Sequence, residues 1–168
     1  MQSIQTVSEN TIYVGASDRR LAKFENLFPI PRGVSYNAYV ILDEKTALLD
    51  TADASVGAQF LENVAAALDG RKLDYLIVDH MEPDHAAMIE AVLVRWPDLR
   101  LVVNAKTLPM LKMYFPTDSA AIDDALVVKE GDTLDLGKHK LTFVMAPMVH
   151  WPEVMMTFDT TTGTLFSA

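Results

Sequence analysis

The sequence predicts an α+β or α/β domain layered around a sheet, on three observations. Strand and helix signals alternate through the first half of the chain. From about residue 125 they give way to short strands separated by turn residues. The 168 residues suffice for one domain with a substantial core and are too few for two ordinary ones.

The elements follow in order. "TIYVGA" (11–16) and "YNAYVIL" (36–42) read as strands, and "TALLD" (46–50) gives a third after the turn-like "DEK". Val56, Phe60, Val64 and Leu68 recur every four residues and form one apolar helix face between Ala54 and Asp69, with Gly70 placed to stop it. "LDYLIV" (73–78) is a nearly continuous apolar run, as expected of a strand covered on both faces. Met88, Ile89, Val92 and Leu93 line a second helix that "WPD" ends, "RLVVN" (100–104) is another buried strand, and a short helix is expected around "LPMLKMYF". Beyond that, "ALVVK", "TLDL", "KLTFVM", "VMMTFD" and "TLFS" are separated by "EGD", "GKH" and "TTTG", which predicts an antiparallel meander.

Composition narrows the function. Half of the residues are hydrophobic and 22% are charged, which fits a globular chain. With no cysteine, disulfides and thiolate metal sites are excluded, so any metal sits on His, Asp and Glu. A net charge of −9 argues against a nucleic-acid partner, which needs a surplus of Lys and Arg. No apolar stretch approaches the roughly 20 residues of a membrane span, and "MQSIQTVSEN" lacks an export signal. A cytoplasmic location is expected. There is no glycine-rich phosphate loop and no Gly-x-Ser-x-Gly elbow, so nucleophilic serine or cysteine catalysis has no support. The nine methionines read as core filler.

The chemistry concentrates in "DHMEPDH" (79–85). His80, Glu82 and Asp84 alternate, so extended backbone would aim all three to one side while Met81 and Pro83 point away. His85 follows and can reach the same cavity. Imidazole nitrogens with carboxylate oxygens suit iron, manganese or zinc. The structural alternative is a solvated acidic loop in which Asp84 caps a helix. His150, between two apolar strands in "APMVHWPEVMMTFD", is the candidate from elsewhere in the chain. Together with His80 and Glu82 it makes a two-histidine, one-carboxylate face with positions left open for a small ligand. Asp50 and Asp53 follow a strand and are candidates to support such a site, with helix capping equally open for Asp53. His139, in the turn "LGKHKL", reads as a surface residue without a role.

The stretches "FENLFPIPRGVSYNAYVI", "LLDT", "DHMEPDH" and "MVHWPEVMMTFD" resemble the amino-terminal part of the flavodiiron proteins (A-type flavoproteins) of the metallo-β-lactamase superfamily, from near residue 24 to the end. Hydrolases of that superfamily carry His-x-His-x-Asp-His, whereas here Glu82 takes the middle His position, an oxygen donor that favours iron over zinc. The resemblance implies an αββα four-layer sandwich, of which this chain would supply the first half and part of the second. It implies a di-iron site in which His80, Glu82 and His150 hold one iron and Asp84 the other, with His85 a ligand in some members and displaced in others. It further implies reduction of O2 to water, or of NO to N2O, with electrons from an FMN on a carboxy-terminal flavodoxin-like domain absent from residues 1–168. A head-to-tail homodimer and an electron donor such as rubredoxin or a flavin reductase are expected partners. The bridging carboxylate and last histidine would fall past Ala168, so the 168 residues alone are expected to hold one metal ion or none, with the remaining carboxy-terminal part as a partner. Two other readings stand beside this one: a zinc-type metal-dependent hydrolase, and a non-catalytic truncated metal-binding module.

Overall fold

A computed structural model describes residues 3–24, 26–116 and 119–167; Glu25, within a stretch quoted above, and Ala168, the last residue of the span that carries the resemblance, lie outside the described residues. In chain order the strands of the first half are β1 (Gln5–Ser8), β2 (Thr11–Tyr13), β3 (Ala16–Asp18), β4 (Lys23–Phe24), β5 (Phe28–Pro29), β6 (Val34–Tyr36), β7 (Tyr39–Leu42) and β8 (Thr46–Leu49). A 3-10 turn, Ala54–Val56, leads into α1 (Gly57–Leu68), then β9 (Tyr75–Ile77), α2 (Pro83–Ala86), α3 (Ile89–Arg95), β10 (Arg100–Asn104), α4 (Thr107–Tyr114) and α5 (Ser119–Asp123). The chain continues through β11 (Leu126–Val128), β12 (Thr133–Asp135), β13 (Lys140–Met145), β14 (Met155–Asp159) and β15 (Thr164–Ser167).

A seven-stranded sheet in the order β1-β2-β7-β8-β9-β10-β11 faces a four-stranded sheet in the order β12-β13-β14-β15. The first sheet is antiparallel from β1 to β8 and parallel from β8 to β11, and each parallel step is bridged by helices. Successive side chains of a strand point to opposite faces, and this divides the interior in two. Leu48, Leu76 and Leu101 join Phe60, Val64 and Ile89 beneath the helices. Leu49, Ile77 and Val102 join Leu141, Phe143 and Met155 between the sheets. Helices, large sheet and small sheet are therefore three successive layers of an αββα arrangement.

Two sequence expectations need correction. "ALVVK" does not open the meander: β11 pairs in parallel with β10 in the first sheet, and the antiparallel run begins at Thr133. Local turn chemistry marks a strand's ends but not its partner. "TIYVGA" is not one strand either. It breaks after Tyr13, and β3 leaves to pair with β6, because Gly15 passes so close to the Tyr36 carbonyl oxygen that a Cβ there would overlap it.

Candidate metal centre

The site lies at the carboxyl end of β9, at one edge of the paired sheets. Past Ile77 the chain is drawn toward the second sheet. The Met155 amide donates to the Asp79 carbonyl at 3.0 Å, and the Thr157 hydroxyl donates to Asp79 Oδ1 at 2.9 Å. Asp79 is buried, and burial followed by the nearby Asp50 charge pushes its carboxyl well above the ordinary range. Pro83 at the first helical position of α2 turns the chain immediately after Glu82, and the His85 and Ala86 amides donate to the Glu82 carbonyl. The alternation expected to align His80, Glu82 and Asp84 therefore extends only to Glu82. Asp84 is already in the first turn of α2.

His80 and Glu82 are buried and meet His150, whose side chain is 66% exposed, from the loop between β13 and β14. His80 Nε2 is 3.1 Å from Glu82 Oε2 and 3.3 Å from His150 Nε2, and His150 Nε2 is 3.0 Å from the same Glu82 oxygen. For metal–ligand bonds of about 2.1 Å, neighbouring ligands are separated by about 3.0 Å in an octahedral set and about 3.4 Å in a tetrahedral one. The three atoms thus stand at the mutual distances that one shared cation would impose. Residues 70 positions apart have been brought to that spacing by the packing of the two sheets.

Asp84 and His85 stand beside this triangle rather than in it. Asp84 Oδ1 is buried without a hydrogen-bond partner among the described residues, and Oδ2 is 3.7 Å from His85 Nε2. Burial, then the Glu82 charge, raise the Asp84 carboxyl, offset in part by His85. The start of α2 has no side-chain cap, so the buried oxygen is not spent on capping. His85 is held from the other side: Nδ1 lies 2.9 Å from Asp50 Oδ2, while Thr51 donates twice to its backbone carbonyl. Burial opposes a charge on His85, and the Asp50 hydrogen bond and charge, with Asp84 and Glu82 adding to them, outweigh it and raise its pKa to about 9. Asp50 adopts a left-handed backbone (φ 54°), which lets its other oxygen accept the Asp79 amide at 2.7 Å. Asp53 caps instead, accepting the Ser55 amide.

A cavity of about 400 Å³ lined by Phe24, Asn26, Tyr36, Ser55 and Asp84, among others, opens beside the site. The ring of Trp151 meets His80 edge-on at 5.2 Å.

One residue was missed and one misread. Glu153, fully buried, lies 2.8 Å from His80 Nδ1; the flanking prolines and Trp151 drew attention to His150, and nothing local marks this glutamate. His139 is not a surface residue: it is buried against Asp159, at 2.8 Å, on a strand whose neighbourhood its own turn does not reveal.

No helix among the described residues is long and apolar enough to cross a membrane. The profile of the ODP family beta lactamase matches residues 34–168. A nitric oxide reductase of Moorella thermoacetica is 36% identical over 154 residues, covering 90% of this chain and 38% of the relative. The rubredoxin oxygen:oxidoreductase of Desulfovibrio gigas superposes with a TM-score of 0.91 at 31% identity, over 98% of this chain and 40% of that one. The flavodiiron protein of Giardia intestinalis gives a TM-score of 0.91 at 27% identity, over 99% and 40%. The chain spans roughly a third of the length of the curated relatives it matches.

Proposed function

The chain belongs to the ODP family beta lactamase group, with flavodiiron proteins as its relatives, and from that premise we propose that it forms the metal-binding part of a flavodiiron oxidoreductase. The whole protein reduces O2 to water, NO to N2O, or both. The observation that carries this reading is the convergence of His80, Glu82 and His150 on one small volume. In the proposed site these three hold one iron, and Asp84, with its orphaned oxygen, serves the second. His85, bound through Nδ1 to Asp50, stands beside them. Iron at this position supplies the binding and reduction of the diatomic substrate, with electrons from an FMN on a flavodoxin-like domain outside these 168 residues.

The chain's own residues supply the frame. Asp50 and Thr51 fix His85 and the start of α2, while Asp79 ties the histidine-bearing loop to the second sheet. The names of the relatives support both substrates: the Moorella protein is a nitric oxide reductase and the Desulfovibrio protein acts on oxygen with rubredoxin. A rubredoxin-type donor or a flavin reductase, a homodimer and a cytoplasmic location complete the proposal. Glu82 disfavours the zinc hydrolase reading, since it replaces an imidazole donor with a harder oxygen.

Anaerobic titration of the metal-free chain with Fe(II), followed by metal analysis, tests the site. Iron binding that is lost on replacing His80 or Glu82 is the expected result. A chain that ignores iron, retains zinc and turns over a thioester would sink the proposal in favour of hydrolysis.

A further inference from the structure

We propose that Glu153 is a positioning residue for His80: its carboxylate takes the imidazole Nδ1 proton in a hydrogen bond and so commits Nε2, as a lone pair, to the metal side. The inference deepens the reading of the site as a metal centre and rests on it.

One oxygen of Glu153 meets two nitrogens. Glu153 Oε1 accepts the Met81 backbone amide at 3.0 Å and lies 2.8 Å from His80 Nδ1. An oxygen already receiving an amide proton is acting as an acceptor, so the proton shared with His80 belongs on the ring nitrogen. Nδ1–H leaves Nε2 free, and Nε2 is the atom that faces Glu82 and His150.

The backbone that carries this carboxylate is itself held from behind. Asn104 Oδ1 accepts the amides of Lys106 and Thr107 at the start of α4, which fixes the orientation of its amide group. Its Nδ2 then donates to the Glu153 carbonyl at 2.6 Å. The glutamate is thus held at both ends, its side chain against the imidazole and its backbone, through the asparagine, against the start of a helix.

The negative charge is the telling feature. A glutamine carbonyl oxygen would satisfy the same two donors. Instead the position carries a carboxylate whose second oxygen, Oε2, is buried and has no partner among the described residues. Burying a half-satisfied charge is costly, and a structural role gives no return for it. A cation bound on the opposite side of the imidazole does, because a carboxylate behind a ligating histidine raises the basicity of the ligating nitrogen.

Two measurements on the 168-residue chain test this. The first uses the metal-free protein with 15N-labelled histidine and raises the pH until His80 is neutral. The expected spectrum is that of the Nδ1–H form, retained in Glu153→Gln and lost or mixed in Glu153→Met. A wild-type His80 that keeps its proton on Nε2 overturns the proposal, whether or not the methionine variant folds. The second titrates Fe(II) or Co(II) into the wild type and Glu153→Gln. A fall in affinity of about 10–100-fold is expected, with partial rescue in Glu153→Asp. Equal affinities in wild type and Glu153→Gln overturn the role of the charge. Failure of the wild type to bind either metal would instead count against the metal centre itself, while the histidine spectra still decide which ring nitrogen carries the proton.

Discussion

The imidazole of His85 and the carboxylate of Asp50 are paired at 2.9 Å across 35 residues of sequence, joining the first turn of α2 to the end of β8. Among the titratable groups around the centre, this pair gives the clearest dependence on pH. His85 is raised from an ordinary value of 6.5 to about 9, against the effect of its burial and chiefly by Asp50. Its charged form is therefore the one the fold favours. The pairing stabilises the metal-free chain fully below pH 6.5 and is lost as pH rises through about 9. Urea unfolding at pH 6, 7.5 and 9 should show the decline. Asp50→Asn keeps an oxygen for the Asp79 amide, and should flatten the decline and lower stability near pH 6 by on the order of 2 kcal/mol. A pH-independent wild type would exclude this account.

His80→Ala and His150→Ala should separate binding from stability. Both remove a donor from the candidate centre, so both should abolish tight Fe(II) binding in calorimetric titration. Only the first strips a fully buried carboxylate, Glu153, of a hydrogen-bond partner. The metal-free His80→Ala chain should lose about 1–3 kcal/mol, more if the cavity fails to collapse. The exposed His150 should cost less than about 0.5 kcal/mol.

His139→Leu tests a second buried pair with no part in the centre. Asp159 lies fully buried between His139, the Thr162 hydroxyl and the Thr161 amide, closing the turns at one end of the small sheet. Replacing His139 should cost about 1–3 kcal/mol in chemical unfolding, with iron affinity unchanged. A parallel loss of iron affinity would show that the two ends of the sheet communicate.

Gly15→Ala should be worse than its size suggests. The new methyl would overlap the Tyr36 carbonyl oxygen, a backbone atom that cannot rotate aside. Separation of β3 from β6 should cost about 1–3 kcal/mol, measured as a lower urea midpoint. An unchanged midpoint would mean that β6 moves freely.

What the residues revealed in advance, and what they withheld, follows from the range of each signal. Periodicity acts within one element, so α1 and β9 were legible, as were Phe60 and Val64 on their buried face. Pairing acts between elements, so "ALVVK" looked like part of a meander although its partner is β10. The same limit governs the site. "DHMEPDH" announced itself because His80, Glu82 and Asp84 are crowded together, yet its extension as a strand past Glu82 failed at Pro83, which starts a helix. His139 was misread because its partner, Asp159, lies 20 residues on, across a strand pair. Glu153 was overlooked for the same reason at greater distance, 73 residues from the histidine it holds.

The three converging donors ride on different sheets: His80 and Glu82 follow β9, and His150 follows β13. A cation seated among them would staple the two sheets at their rim, and occupancy would be linked to cohesion. By mass action, ligand at 100 times its dissociation constant adds about 2.7 kcal/mol against unfolding. That gain should appear first as slowed hydrogen exchange at the Met155 amide, which already reaches across to Asp79. Without the staple, the rim is where the sandwich should begin to part.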